Sequence, residues 1–193
     1  MARHLSSTSE RIVAAASKLF YSEGIGRVSM DAVADKAGVT KRTLYYHFRS
    51  KDDLVAAYLL GRDQPNLALF QRWFAATEGE LAEKVRGIFT NLATSARHPK
   101  WKGCGFLRTT AELAHMPGHP AISVGAAHKK RFEAWMRGVI ELEGVTDGLP
   151  LARQIMLLLD GCFAVTLLHR DPTYIETAGE AAFALVTSAL RPQ

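Results

Sequence analysis

Residues 29–48 read SMDAVADKAGVTKRTLYYHF, and two short helices joined by one tight turn can be read from them directly. Ser29 is a favourable N-cap, Val28 and Val33 stand at the spacing of a hydrophobic staple, and Gly38 is the residue type that ends a helix in a left-handed turn. The pattern then repeats: Thr40 caps a second element, Val39 and Leu44 form the equivalent staple, and only Gly38 and Val39 lie between the two helices. This spacing predicts a helix-turn-helix. At about 100° per residue, Leu44 and Phe48 share the face that packs on the preceding helices. Arg42 and Tyr46 then point the opposite way, with Tyr45 and Arg49 beside them.

The same signals extend outward in both directions. Ser7 and Glu10 form a capping-box pair ahead of Ile12, Ala16, Leu19 and Phe20, whose spacing predicts a first helix that stops at Gly24. Ser50 with Asp53 caps a fourth helix from Lys51 through Tyr58 toward Arg62, and Pro65 is expected to break or kink it. Beyond it the periodicity predicts helices near residues 67–77, 81–97, 106–115, 122–143, 152–169 and 174–190. Strand patterns are nearly absent. The fold class expected is all-α: an N-terminal three-helix helix-turn-helix domain, residues 1–53, and a larger helical effector-binding and dimerisation domain, residues 54–193. The last two helices carry apolar faces wider than one core requires, which predicts a homodimer.

A composition of 48% hydrophobic and 22% charged residues is that of a chain that folds. Of the formal charge of +5, most lies in the first third, where ten Lys and Arg stand against six Asp and Glu up to Arg62. That bias suits double-stranded DNA as a partner. Arg42 has the chemistry of a base contact in the major groove. Thr40, at the start of its helix, with Lys41, Lys51 and the phenolic groups of Tyr45 and Tyr46, suits phosphates. An ordinary solvated face is the alternative, but adjacent exposed tyrosines lower solubility unless something covers them. No uncharged apolar stretch reaches membrane-spanning length, and Met1 to Ser9 lacks the apolar run of a secretory signal, so a cytoplasmic protein without a membrane partner is expected. Cys104 and Cys162, far apart among apolar residues, are expected to be two buried thiols.

The run from Val28 to Ala34, Ala37-Gly38-Val39, and the run Leu44-Tyr45-Tyr46-His47-Phe48-Arg49-Ser50-Lys51-Asp52-Asp53-Leu54 resemble the N-terminal domain of TetR-family regulators. The resemblance covers about fifty residues, and beyond Arg62 it is architectural. It implies a bacterial homodimer of nine or ten helices whose last two helices pair into a four-helix interface. It also implies a small-molecule effector held in the larger domain, no other cofactor, and a repressor released from a pseudo-palindromic operator. Thr40, Lys41, Arg42, Tyr45, Tyr46, His47 and Lys51 occupy positions that commonly contact DNA in the family. Pro65 departs from the uninterrupted fourth helix that the resemblance implies.

For the effector, Trp73, Cys104, Phe106, His115 and Trp135 are the candidate contacts, with Trp101 to Leu107, Met116, His119 and His128 nearby; packing in the core is the alternative for each. His115 and His119 have i, i+4 spacing, but Pro117 and Gly118 interrupt the helix that would align them, so no metal site is expected. Cys104 with either histidine imitates a thiol–imidazole pair that lacks a third orienting group, so no enzyme is expected. Asp160, in an apolar helix, is either bonded across a dimer or at the helix edge. An architectural DNA-binding protein without an effector is the remaining class, and release of DNA by a chemical would discriminate against it.

Overall fold

The computed structural model describes residues 7–191. Among the described residues there are nine α-helices and no strand: α1 (Thr8–Glu23), α2 (Met30–Ala37), α3 (Lys41–His47), α4 (Lys51–Ala76), α5 (Leu81–Ala96), α6 (Gly105–Glu112), α7 (Pro120–Leu142), α8 (Leu149–His169) and α9 (Thr173–Leu190). The fold is all-α, as the periodicity predicts. The predicted caps form. Ser7 accepts from the Glu10 N–H at 3.2 Å while the Glu10 carboxylate accepts from the Ser7 N–H at 2.7 Å. Ser29, Thr40 and Ser50 accept from Ala32, Thr43 and Asp53 at 3.1, 3.1 and 3.0 Å. Each satisfies a first-turn donor that the helix itself leaves without a partner.

Pro65 does not end the fourth helix. The elements expected separately on either side of it are one helix of 26 residues, α4, with the proline inside. An interior proline deprives the carbonyl four residues back of its donor and typically costs about 3 kcal/mol. Here that carbonyl belongs to Gly61, and Gly61 and Pro65 both lie on the exposed side, where water is free to replace the lost donor. Leu59, Leu67 and Phe70 are buried on the other side. The uninterrupted helix implied by the family resemblance is therefore the one observed.

By contact density the described chain divides into two compact units. The first runs to Gln64 and also contains Gly105–Ala126; the second comprises Pro65–Cys104 and the chain from Ala127 onward. The first unit has Ile12, Ala16, Val33, Leu44, Leu54 and Tyr58 in its core. In the second, α9 packs along α5 and α8. The α5–α9 approach depends on Gly179, where an added Cβ would lie 2.8 Å from Phe89 Cβ. Phe70 and Trp135 pack edge-on against Phe132, and Phe74 packs the same way against Trp135.

Cys104 and Cys162 are free and buried, and burial pushes the Cys162 thiol up to about 12, so it stays protonated and inert. Asp160 is partly exposed and bonds to Lys129 of α7 in the same chain. Helix α8 is long and apolar enough by composition to cross a membrane. Arg153 and Asp160 interrupt it, so it holds no uncharged stretch of that length. Its Ile155, Leu159 and Phe163 are buried within the second unit.

Candidate nucleic-acid interface

The turn between α2 and α3 is held from three sides. Gly38 takes a left-handed conformation at φ 65°, and its N–H donates to Asp35 O at 3.1 Å, while Val39 N–H donates to Ala34 O at 3.0 Å. Across from it, Arg11 of α1 donates through Nη2 to Ala37 O at 2.7 Å and to Gly38 O at 3.2 Å. A guanidinium here meets carbonyls at the negative end of the α2 dipole that lack helical donors. Sequence reasoning missed Arg11, because a cation 26 residues before its partner leaves no periodic signal.

From this turn α3 leaves with Leu44 wholly buried and Phe48 nearly so, against α1 and α2. The opposite face is bare. Arg42 and His47 are exposed, Tyr45 is somewhat under half exposed and Tyr46 is 85% exposed, its ring edge-on to His47 with centroids 5.2 Å apart. Thr40 is exposed at the helix start, and Lys51 is half-buried in the first turn of α4. Lys41 differs: its ammonium pairs with Asp31 of α2 at 2.9 Å, and this hydrogen bond raises its pKa. A phosphate contact by Lys41 must therefore compete with Asp31. The structure thus brings Thr40, Lys41, Arg42, Tyr45, Tyr46 and His47 onto one short element, with Lys51 on the next.

A segment remote in sequence braces this head. The Glu112 carboxylate of α6 accepts from the N–H of Ile25 at 3.0 Å and of Gly26 at 2.5 Å, in the loop between α1 and α2. Arg108, also of α6, donates to Tyr21 O at 2.8 Å, and both Arg62 and Arg108 lie over the Tyr21 ring. His119 is buried, accepts from Ala121 N–H through Nδ1 at 3.0 Å, and sets Nε2 3.2 Å from the Asp52 carboxylate. No local pattern announces these contacts. Glu112→Ala removes two charge-assisted bonds to backbone at a partly exposed loop and is expected to lower the stability of the first unit by about 1 to 2 kcal/mol. Hydrogen exchange at Ile25 and Gly26 would check it, with both amides faster than in wild type.

The effector candidates are distributed over both units. Trp73 and Trp135 are half-buried in the second, Trp73 edge-on to Phe70 and Trp135 to Phe74 and Phe132. Cys104 is buried at the end of a segment of that unit. Phe106 is buried in the first unit, whereas His115 is exposed there, in the turn after α6.

The model for bacterial regulatory proteins of the tetR family matches residues 12–58. The HTH-type transcriptional regulator TtgR of Pseudomonas putida is 40% identical over 182 residues, covering 85% of this chain and 82% of that protein. Two other Pseudomonas putida regulators are each matched over 58 residues, 27% and 43% of their own lengths. Among solved structures, SCO4454, a TetR-family transcriptional regulator from Streptomyces coelicolor, superposes with a TM-score of 0.82 at 29% identity, over 95% of this chain and 96% of that one. A Streptomyces avermitilis structure superposes with a TM-score of 0.75 at 30% identity, over 92% and 98% of the two chains.

Proposed function

The chain belongs to the TetR family of bacterial transcriptional regulators and carries the family's DNA-binding helix-turn-helix, and from that premise we propose that it binds a pseudo-palindromic operator as a homodimer, represses from it, and is released by a small-molecule effector. The observation that carries the DNA reading is the two-faced α3: Leu44 and Phe48 anchor it from below, while Arg42, Tyr45, Tyr46 and His47 stand exposed on it. In this reading Arg42 contacts a base edge, and Thr40, Lys41, Tyr45, Tyr46, His47 and Lys51 hold the helix on sugar and phosphate. Residues 1–53 form the DNA-binding domain; residues 54–193 dimerise and take the effector. The protein acts in the cytoplasm, where its DNA is.

Removing a base contact and removing a phosphate contact have different signatures. Arg42→Ala is expected to weaken operator binding by about 1 to 3 kcal/mol and to relax base preference. Lys51→Ala should weaken all sequences nearly equally and flatten the salt slope by about one. Gel-shift titrations at several salt concentrations separate the two, and unchanged operator binding by Arg42→Ala would take it out of the base-contact role.

The dimer is supported by the α8–α9 face. Leu157 and Leu168 are 71% and 79% exposed on it, and it bears an apolar groove of about 530 Å³ that includes Leu158, Gly161, Val165 and Ala181. A dimer must present its two α3 helices about 34 to 36 Å apart to enter successive major grooves. An effector that favours another separation releases DNA by its differential affinity for the two states, and allosteric coupling of about 1 to 3 kcal/mol lowers operator affinity roughly 5- to 150-fold. The effector we propose is a mostly apolar molecule, and Trp73 and Trp135 of the second unit are the aromatic contacts we propose for it. Linkage makes the test two-sided: a compound found by thermal-shift screening should release operator, and operator should weaken its binding by the same factor. Ligands that stabilise the protein yet leave operator affinity unchanged at saturation would refute the regulatory part.

A further inference from the structure

We propose that the second unit holds a separate site for an organic anion, in the cavity between the end of α5, the loop after it, and the α8–α9 junction. The cavity has a volume of about 590 Å³, within the range of small-molecule sites. Three cations line it, Arg97, Lys102 and Arg170, and no carboxylate-bearing residue does. Glu176 pairs with Arg97 at 2.5 Å and offsets that charge, so Arg170 is the cation on which the site chiefly rests; Asp171 accepts from Thr173 N–H at 2.9 Å. His98 accepts from Lys100 N–H through Nδ1 at 3.1 Å, which leaves Nε2 as its donating nitrogen. Trp101, stacked on Phe163 at 6.0 Å between centroids, supplies an apolar wall.

Two residues of the wall carry the assignment. Thr166 lines it, is only 2% exposed, and its hydroxyl has no hydrogen-bond partner. Buried hydroxyls are ordinarily paired. Arg170 caps α8 at φ 53°, a left-handed conformation that glycine or asparagine adopts far more readily. Its side chain belongs to the wall of the cavity. Arg170 bidentate to a carboxylate and an apolar body against Trp101 together describe an organic carboxylate as the occupant, and rotation of the Thr166 side chain would bring its buried hydroxyl to the same group. The aromatic cluster of Phe70, Phe74, Phe132 and Trp135 is not part of this cavity.

The probe pair is 2-naphthoate and its neutral counterpart 2-naphthamide, titrated into the full chain by calorimetry and tryptophan fluorescence without DNA, so that the outcome is independent of operator binding. Naphthoate is expected to bind saturably, and naphthamide roughly tenfold more weakly or worse. Arg170→Gly removes the charge while relieving the left-handed backbone, so it should lose roughly tenfold or more in naphthoate affinity with a Tm equal to or above wild type. Thr166→Val, of similar shape, should weaken naphthoate without unfolding the chain. No saturable binding to wild type, or equal affinity for naphthoate in wild type and Arg170→Gly, would overturn the site. An Arg170→Gly protein that keeps naphthoate but loses DNA affinity would assign these cations to DNA instead, and overturn it equally.

Discussion

Leu157→Glu is expected to give a folded monomer that no longer holds operator DNA. Leu157 is 71% exposed within the single chain, so a glutamate there disturbs nothing in the protomer. In a two-fold dimer every substitution appears twice across a self-complementary interface, and each carboxylate must shed water against an apolar groove with no cation to receive it. Such burial costs several kcal/mol per charge, enough to dissociate a dimer at micromolar concentration. Operator affinity follows, because two linked recognition helices gain a factor of about 10² to 10⁴ over one. Ala181→Glu, on the facing side of the groove and also exposed in the single chain, should behave alike. Light scattering with circular dichroism would read both, and a wild-type protein already monomeric at micromolar concentration would end the dimer proposal.

The second large effect is expected from Leu44→Ala. Leu44 is wholly buried and is the main anchor of a seven-residue helix. Helices of this length do not hold themselves in water, so α3 depends on its packed face. Truncating a fully buried leucine costs about 3 to 5 kcal/mol, a large share of the total stability of a small unit. We expect a low-temperature melting step in the N-terminal helices, loss of DNA binding, and retention of the dimer, since α8 and α9 do not involve Leu44. Arg42→Ala, by contrast, should melt as wild type. A Leu44→Ala protein with wild-type melting and DNA binding would mean that α3 is not seated on this residue.

What the sequence made legible here is what local chemistry determines. Ser7, Ser29, Thr40 and Ser50 are hydroxyls placed to accept from donors three residues on, and the buried pair Leu44 and Phe48 follows from helical period alone. Pro65 was misleading because the helix-breaking rule is also local, and it yields where the orphaned carbonyl is solvated and apolar residues on both sides stay buried. Arg11 and Glu112 were illegible for the opposite reason. Their partners lie 26 and 86 to 87 residues away, and a carboxylate that meets two backbone amides can be found only once the chain has folded. Asp160 looked anomalous in an apolar helix until α7 supplied Lys129.

If this chain reads DNA sequence as a symmetric dimer through α3, selection from random duplexes will show it. Purified protein, several rounds of capture at physiological salt, and sequencing of the retained duplexes would suffice. The expected result is an enriched inverted repeat with half-sites one helical turn, about 34 to 36 Å, or a multiple of it apart. The Arg42→Ala protein should then lose preference at one symmetric pair of positions. Retained DNA with no enriched sequence, or a single half-site without its inverted mate, would contradict the claim.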